Sequence, residues 1–277
     1  MKRMHLIEIA DLAWCPPGIR HGVSDFCRFL VEVSGAFNPV APLLAEAFQR
    51  TGARQVLDLG SGAAGPWLGL QPWLRKLGID VPVCLSDCHP DLEAFERASR
   101  LSQGAITYRS EPVDATKVPS DLPGFRTMFN AFHHLRPEQA RAMLADAVAK
   151  GEGVGVFESG SRSPLTLLEA LGTPLRALVL APFIRPFRWS RLFWTYLVPA
   201  LPLVLLFDVV VSCLRIYSAP ELRDLIAGLD RYDWDIGTVR IITWIPIPLT
   251  YLIGVPSEKA AEPVTGEDRG GRSHTAG

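Results

Sequence analysis

The sequence predicts an α/β fold on an open, mostly parallel sheet, and three observations carry that prediction. First, Arg54 to Trp67 reads R-Q-V-L-D-L-G-S-G-A-A-G-P-W, a short apolar run that breaks into three glycines and then a proline. This is strand, tight turn and helix start, because glycine tolerates left-handed backbone and Pro66 pre-sets φ at what would be the first helical position. Second, apolar runs alternate with helical patterns from there to Phe157, with strands expected at Val56–Leu59, Val81–Leu85, Ile106–Arg109, Thr127–Ala131 and Val154–Phe157. Third, two further strand-like runs, Trp234–Ile242 and Leu249–Val255, are joined by a link holding Pro246 and Pro248 and no helix, so one member runs antiparallel. Together these runs make a seven-stranded sheet whose last strand is antiparallel.

The glycines at 60, 62 and 65 let backbone approach a ligand without Cβ interference, beside the unpaired N–H groups of a helix start. Their spacing also satisfies G-x-G-x-x-G, so the glycines alone do not exclude a nicotinamide or flavin cofactor. Asp58 is more telling: an acid two residues before the first glycine would repel a pyrophosphate, yet it suits a ligand carrying an ammonium and a sulfonium. The stretch V-L-D-L-G-S-G resembles motif I of class I S-adenosylmethionine-dependent methyltransferases, a Rossmann-like family. Phe132-His133-His134-Leu135, after the fourth strand, resembles the post-strand motif of small-molecule methyltransferases of the ubiquinone-pathway type. The resemblance covers Arg54 to Glu158, and Ser218 to Val255 by topology.

The resemblance implies a methyltransferase with S-adenosylmethionine as cofactor, contacted by Asp58, Gly60, Ser61, Gly62, Gly65 and Asn130. Asp87, at the end of the second strand, is placed to accept hydrogen bonds from ribose hydroxyls, a helix-capping role being the alternative. Asp114 matches the acidic position that approaches the adenine amino group, unless it is a solvated loop acid. His133 and His134 are the catalytic candidates: one imidazole could take a proton from a hydroxyl acceptor, or could only order the loop. Glu158, at the end of the fifth strand, could orient the acceptor or pair with an arginine, with a local loop role as the alternative.

Residues 1–52 precede the sheet and are read as a helical cap. A turn at Cys15-Pro16-Pro17-Gly18 leads to a helix capped by Ser24 or Asp25 and running to about Val33, and a second helix runs from Pro39 to Gln49. These helices are expected to lean over the cofactor mouth, which makes Trp14, Arg20 and His21 weak candidates for substrate contact. A core role for Trp14 and surface roles for the other two are the simpler alternative. After the cofactor-binding core at 53–158, a kink or restart is expected at Pro72 and helices are expected at Pro90 and at Pro137–Lys150.

Residues 159–216 form an apolar helical insertion. The run Leu192–Leu214 is interrupted by Pro199, Pro202 and Asp208, whereas a spanning helix needs about 20 apolar residues. Two readings stand: a cap that buries its apolar face on the sheet and makes a greasy substrate chamber, or an interfacial element with Trp189, Trp194, Tyr196 and the arginines at headgroup level. A dimer surface is a third. Both main readings imply a small lipophilic acceptor such as a quinone, isoprenoid, polyketide or lipid. Asp208 needs a partner, and Arg215 is the nearest choice in sequence. Ser218-Ala219-Pro220-Glu221 is a capping box that opens the closing segment at 217–256, and residues 257–277 read as a disordered tail.

Composition narrows the partners. A formal net charge of -1 gives no basic field for nucleic acid. Five scattered cysteines without C-x-x-C pairing suit reduced thiols, so a cytoplasmic location is expected, with peripheral membrane contact through residues 175–214 as an addition. No signal peptide is expected, since Glu8 and Asp11 interrupt the apolar start, and no metal site is expected at Cys84, Cys88 and His89. Non-catalytic cofactor binding and a nicotinamide-dependent oxidoreductase are the rival functions.

Overall fold

The computed structural model describes residues 1–241 and 246–257. The tail read as disordered lies outside the described residues except for Ser257. Seven strands form one sheet in the order β3-β2-β1-β4-β5-β7-β6. They are β1 Val56–Leu59, β2 Val83–Ser86, β3 Ile106–Tyr108, β4 Phe125–Phe129, β5 Val154–Ser159, β6 Tyr232–Ile241 and β7 Ile247–Pro256. The first five pair in parallel, and β7 runs antiparallel to both β5 and β6. Central β1 and β4 are buried along their whole length, as a strand covered on both faces must be. The strand order reverses between β1 and β4, which opens a crevice at their carboxyl ends.

Several boundaries differ from the sequence reading. The fourth strand starts two residues early, at Phe125, because Arg126 can be buried there with Asp146 as its partner at 2.7 Å. Pro248 lies inside β7 opposite Arg240 and not in the preceding link; a proline is tolerated near the first residue of a strand. The helix expected from Ser24 or Asp25 begins at Pro17 (α1, Pro17–Ser34), with proline at its first position where no N–H partner is needed. The second helix is α2, Ala41–Thr51, after a 3-10 turn at Asn38–Val40. No break occurs at Pro72: α3, Trp67–Lys76, runs through it, held by the buried face of Trp67, Leu70 and Leu74. Asp91 caps α4, Leu92–Leu101, by accepting from the Ala94 N–H at 3.1 Å.

Helix α5, Pro137–Lys150, starts and ends as expected. The sheet is covered on both faces. On one face α2, α3 and α4 bury Phe48, Trp67 and Phe95 against Val56, Phe125 and Phe157. On the other, α5 buries Met143 and Leu144 against Leu57, Met128 and Val156.

The insertion folds as α6 Pro164–Ala170, α7 Thr173–Leu180, the short α8 Trp189–Leu192 running into a π-helical turn at Phe193–Leu197, and α9 Ala200–Arg215. Helix α10, Ala219–Ile226, follows behind the expected capping box. The expectation that the insertion buries its apolar face on the sheet is corrected here. It packs on α1, forming a third core of Ile19, Val23, Phe26, Ala177, Ile184, Leu201 and Leu205. The reason is shape: a Cβ at Gly22 would lie 2.9 Å from Leu201 Cδ2, so glycine lets α9 close onto α1. Among the described residues no single helix is long and apolar enough to cross a membrane, and α9 meets the helical stretch before it at 89°.

One ion-paired cluster fastens α1 to the insertion. Asp25 Oδ2 accepts from Arg191 Nη1 at 2.7 Å and from Arg188 Nε at 3.2 Å. The same Arg191, only 1% exposed, donates to the carbonyls of Ala181, Ile184 and Pro186. Truncating one partner of a buried pair strands the other charge without a counter-ion. Asp25→Ala is therefore expected to lose about 3–5 kcal/mol in urea unfolding. A loss below about 1 kcal/mol would mean that water reaches and solvates Arg191.

Candidate functional site

The first half of the site is the turn after β1. Gly60, Gly62 and Gly65 all have left-handed backbone, with φ of 63°, 49° and 58°. A Cβ at Gly60 would sit 3.0 Å from Ala131 Cβ, whereas nothing lies within 4 Å of the Cβ position at Gly62, whose face is open. Asp58 holds this turn from beneath. Its Oδ1 accepts from the Thr127 hydroxyl at 2.6 Å and its Oδ2 from the Ser61 hydroxyl at 2.7 Å. Burial pushes its carboxyl up to about 6, even though the Thr127 and Ser61 hydrogen bonds favour the charged form. Asp58 thus faces the underside of the loop, and Ser61 is its tie.

The acids at the neighbouring strand ends converge on the same loop. Asp87, just past β2, accepts from the Gly62 N–H at 2.9 Å and the His89 N–H at 2.8 Å. Asp114 is brought alongside because the Val113 N–H donates to the Asp87 carbonyl at 2.9 Å, and its own carboxylate accepts from Thr116 N at 2.8 Å. Asn130, after β4, is itself left-handed at φ 47°, and its Oδ1 accepts from Ser159 N at 2.7 Å, tying the ends of β4 and β5. An open-faced glycine turn with acids at two adjacent strand ends fits a nucleoside cofactor with a cationic tail. Asp58 adds negative potential from behind the loop without touching its open face.

The second half is organised by Glu158 at the end of β5. Its Oε1 accepts from the Phe132 N–H at 2.8 Å, and its Oε2 faces His133 Nδ1 at 2.5 Å. His133 is buried, and a second carboxylate, Glu8 Oε1, lies 3.5 Å from its Nε2. Burial disfavours the imidazolium, but Glu158 and Glu8 outweigh it and push His133 up to about 9. With both nitrogens turned to carboxylates and a proton held at neutral pH, His133 is not poised as a base in this arrangement. His134, more open, has Nδ1 3.3 Å from Asp11 Oδ2 and Nε2 3.7 Å from Glu8 Oε1.

Glu8, Asp11, Arg3 and Arg215 are the residues that sequence reasoning missed. The first eleven residues lie across α9 and the loop after β4: Arg3 donates to the carbonyls of Leu135 and Arg215, and Met4 N to that of Leu214. Arg215 Nη1 reaches Glu8 Oε1 at 3.3 Å, and Ser212 Oγ lies 2.7 Å from the same oxygen. Burial and then His133 and His134 act in opposite senses on Glu8, and the histidines win, drawing it down to about 2. No local pattern marks these contacts; only the acids at 8 and 11, which break an apolar start, hinted that this segment faces something polar.

Other expected site residues sit elsewhere. Trp14 is 70% exposed, and Arg20 donates to the carbonyls of Ala10 and Leu12, bracing the turn before α1. Asp208 does not pair with Arg215 as expected; it accepts from the Ile9 and Ala10 N–H groups, which a strap crossing α9 leaves free. The N-terminal and inserted segments pair with α4, through Arg188 to Glu93 at 2.8 Å and Glu32 to Arg97 at 3.1 Å. A cavity of about 230 Å³ lined by Pro119, Leu122, Arg126 and Lys150 lies where β4 begins, at the far end from the glycine loop.

The sheet order and the site at its switch point define the class I methyltransferase architecture. No family model matches the chain, and no curated protein matches it. Among solved structures, the chain is similar to an O-methyltransferase family protein from Burkholderia thailandensis, with 13% identity, 82% of this chain and 57% of that one covered and a TM-score of 0.46. Magnesium protoporphyrin IX methyltransferase from Synechocystis with bound S-adenosylhomocysteine is similar at 14% identity, with 88% of each chain covered and a TM-score of 0.45. A putative O-methyltransferase from Nostoc punctiforme gives 12% identity, 86% and 70% coverage and a TM-score of 0.46. The chain spans about half the length of the first three solved structures it matches, at 57%, 47% and 54%. Strand order and pairing, not these likenesses, define the fold.

Asp58 gives the site a pH signature. Its carboxyl binds a proton more tightly folded, at about 6, than unfolded, at 3.8. The stability this contributes is therefore complete below the unfolded value and lost as pH rises through about 6. Asp58→Asn removes the loss, so its stability relative to the parent should climb between pH 4 and pH 7 by on the order of 3 kcal/mol. Urea unfolding across that range checks it, and a pH-independent difference would mean that the carboxyl is solvated.

Proposed function

We propose that the chain is an S-adenosylmethionine-dependent methyltransferase that acts on a small apolar acceptor, and that it does so in the cytoplasm at a membrane surface. The observation that carries the reading is the open-faced glycine turn at the switch point, gripped at Gly62 by Asp87 and backed by buried Asp58. When bound, the cofactor supplies a methyl group activated on a sulfonium. Asp87 is placed to exchange its Gly62 contact for ribose hydroxyls, and Asp114 sits beside it for the base. Gly60, Gly62 and Gly65 give the backbone approach, and Asp58 keeps the region negative for a cationic ligand.

The acceptor side is the loop after β4, with Glu158 holding its backbone and His133. These residues act by positioning: an in-line displacement on an activated methyl needs alignment more than proton transfer. The acceptor's own proton leaves to solvent. An apolar acceptor and a membrane surface are supported by the outer face of the insertion. Phe183, Trp189, Leu197 and Leu203 are 65%, 78%, 74% and 63% exposed there, near Arg185 and Arg188. Free thiols at the five cysteines suit a reducing compartment. The net charge of -1 offers nucleic acid no general attraction.

Calorimetric titration with S-adenosylmethionine, S-adenosylhomocysteine and NADH, with and without anionic lipid vesicles, tests the reading. Binding of the first two alone is expected, with Asp87→Ala weakening it by about 1–3 kcal/mol through lost hydrogen bonds. Binding of NADH alone would overturn the cofactor, and unchanged affinity in Asp87→Ala would remove that residue from the site. Vesicle flotation that is lost in a Trp189→Ser, Leu197→Ser double variant is expected for the surface contact; no flotation of the parent would refute it.

A further inference from the structure

We propose that Glu8, His133 and His134 form a site for a divalent transition-metal ion, with two imidazole nitrogens and one carboxylate oxygen as ligands. The proposal goes against the sequence reading, which expected no metal, and it does not depend on the cofactor assignment. Three features support it.

The first is the geometry of the donors. Glu8 Oε1 lies 3.5 Å from His133 Nε2 and 3.7 Å from His134 Nε2, and the three atoms all fall within 4.8 Å of one another. Bonds of about 2.0–2.1 Å at tetrahedral angles place ligand atoms about 3.3–3.5 Å apart, so an ion fits after small adjustments. The second is an orphaned atom. His133 is 4% exposed, and its Nε2 is buried and makes no hydrogen bond, with Glu8 Oε1 facing it at 3.5 Å. A buried polar atom left unpaired is costly, and a bound cation removes that cost.

The third is the arrangement behind the donors. His133 turns Nδ1 to Glu158 Oε2 at 2.5 Å, and His134 turns Nδ1 to Asp11 Oδ2 at 3.3 Å. Both imidazoles therefore present Nε2 to one point while a carboxylate holds the other nitrogen. That is how metal-binding histidines are oriented and made more basic. Ser212 Oγ donates to Glu8 Oε1 at 2.7 Å and fixes the position of the third ligand oxygen.

The charge around the point also suits a divalent ion. Glu8 and Asp11 face Arg215 and Glu158 faces His133, so acids outnumber the arginine here, and an ion binds in exchange for the proton that His133 otherwise holds. Arg215 Nη1, 3.3 Å from Glu8 Oε1, and Arg3, which donates to the His133 carbonyl at 3.1 Å, oppose binding, and Asp11 Oδ2, 3.8 Å from Arg215, offsets them in part. Two imidazoles with one carboxylate select zinc, cobalt(II) or iron(II) over magnesium or calcium, which prefer oxygen ligands throughout. Three protein ligands leave room in the coordination sphere for a water or an oxygen of a small molecule.

Cobalt(II) titration of the metal-stripped full chain, followed by visible absorption, and zinc competition against a chromophoric chelator test the proposal. One ion per chain is expected, with no thiolate-to-cobalt band, and affinity should fall about 100-fold or more in Glu8→Gln and in His134→Gln. His134 is partly exposed, so its variant should stay folded, which circular dichroism checks. Asp11→Asn should cost about tenfold, as loss of an orienting carboxylate does. Cys88→Ser should change nothing, which separates this site from the exposed Asp87, Cys88 and His89 group. Absence of stoichiometric binding, retention of full affinity in the Glu8 and His134 variants, or loss in Cys88→Ser would each overturn the assignment. None of these readouts requires the nucleoside cofactor, so failure here and failure of the cofactor titration are separate results.

Discussion

The carboxylate of Glu158 is the contact on which the crevice depends. It sits near the end of a strand buried from Val154 to Glu158, so its position is fixed by the sheet, and it spends one oxygen on the backbone after β4 and the other on His133. A buried carboxylate persists only with partners that satisfy both oxygens. That requirement makes the loop after β4 rigid, sets the ring orientation of His133, and presents a nitrogen to which Glu8 can dock. Through Glu8 the first eleven residues are then drawn over α9. A single buried acid thus links sheet, loop, strap and insertion.

The fold was legible in the sequence to a large degree, because its signals are local. Val56 to Gly65 combines an apolar run with glycines whose left-handed backbone is required, and that pattern has few structural solutions. Helix α5 was readable end to end because a proline starts it and Gly151 ends it. Boundaries slipped where tertiary partners override local preference. Arg126 looks like a loop residue until Asp146 is brought beside it, and Pro72 looks like a break until the buried face of α3 is counted.

The site was legible in part, and the division follows sequence distance. Asp58 lies within β1, Asp87 just past β2 and Asp114 in the segment that follows β3, where topology alone brings them to one end of the sheet. Glu8, the second carboxylate beside His133, does not obey such a rule: it arrives from another element, marked only as an acid that breaks an apolar start. The insertion was misjudged for a similar reason. Its apolar residues were visible, but the surface that receives them was not, since the stripe of Ile19, Val23 and Phe26 and the gap at Gly22 lie far back in the chain.

The contacts that bind the strap join residues 204 and 207 positions apart. Closing a chain segment of that length gains little until the intervening sheet already holds the two ends near each other. The strap is therefore expected to assemble after the sheet and to loosen before it. Opening of the strap needs no disturbance of the sheet, so entry to the crevice and integrity of the fold are governed by different free energies.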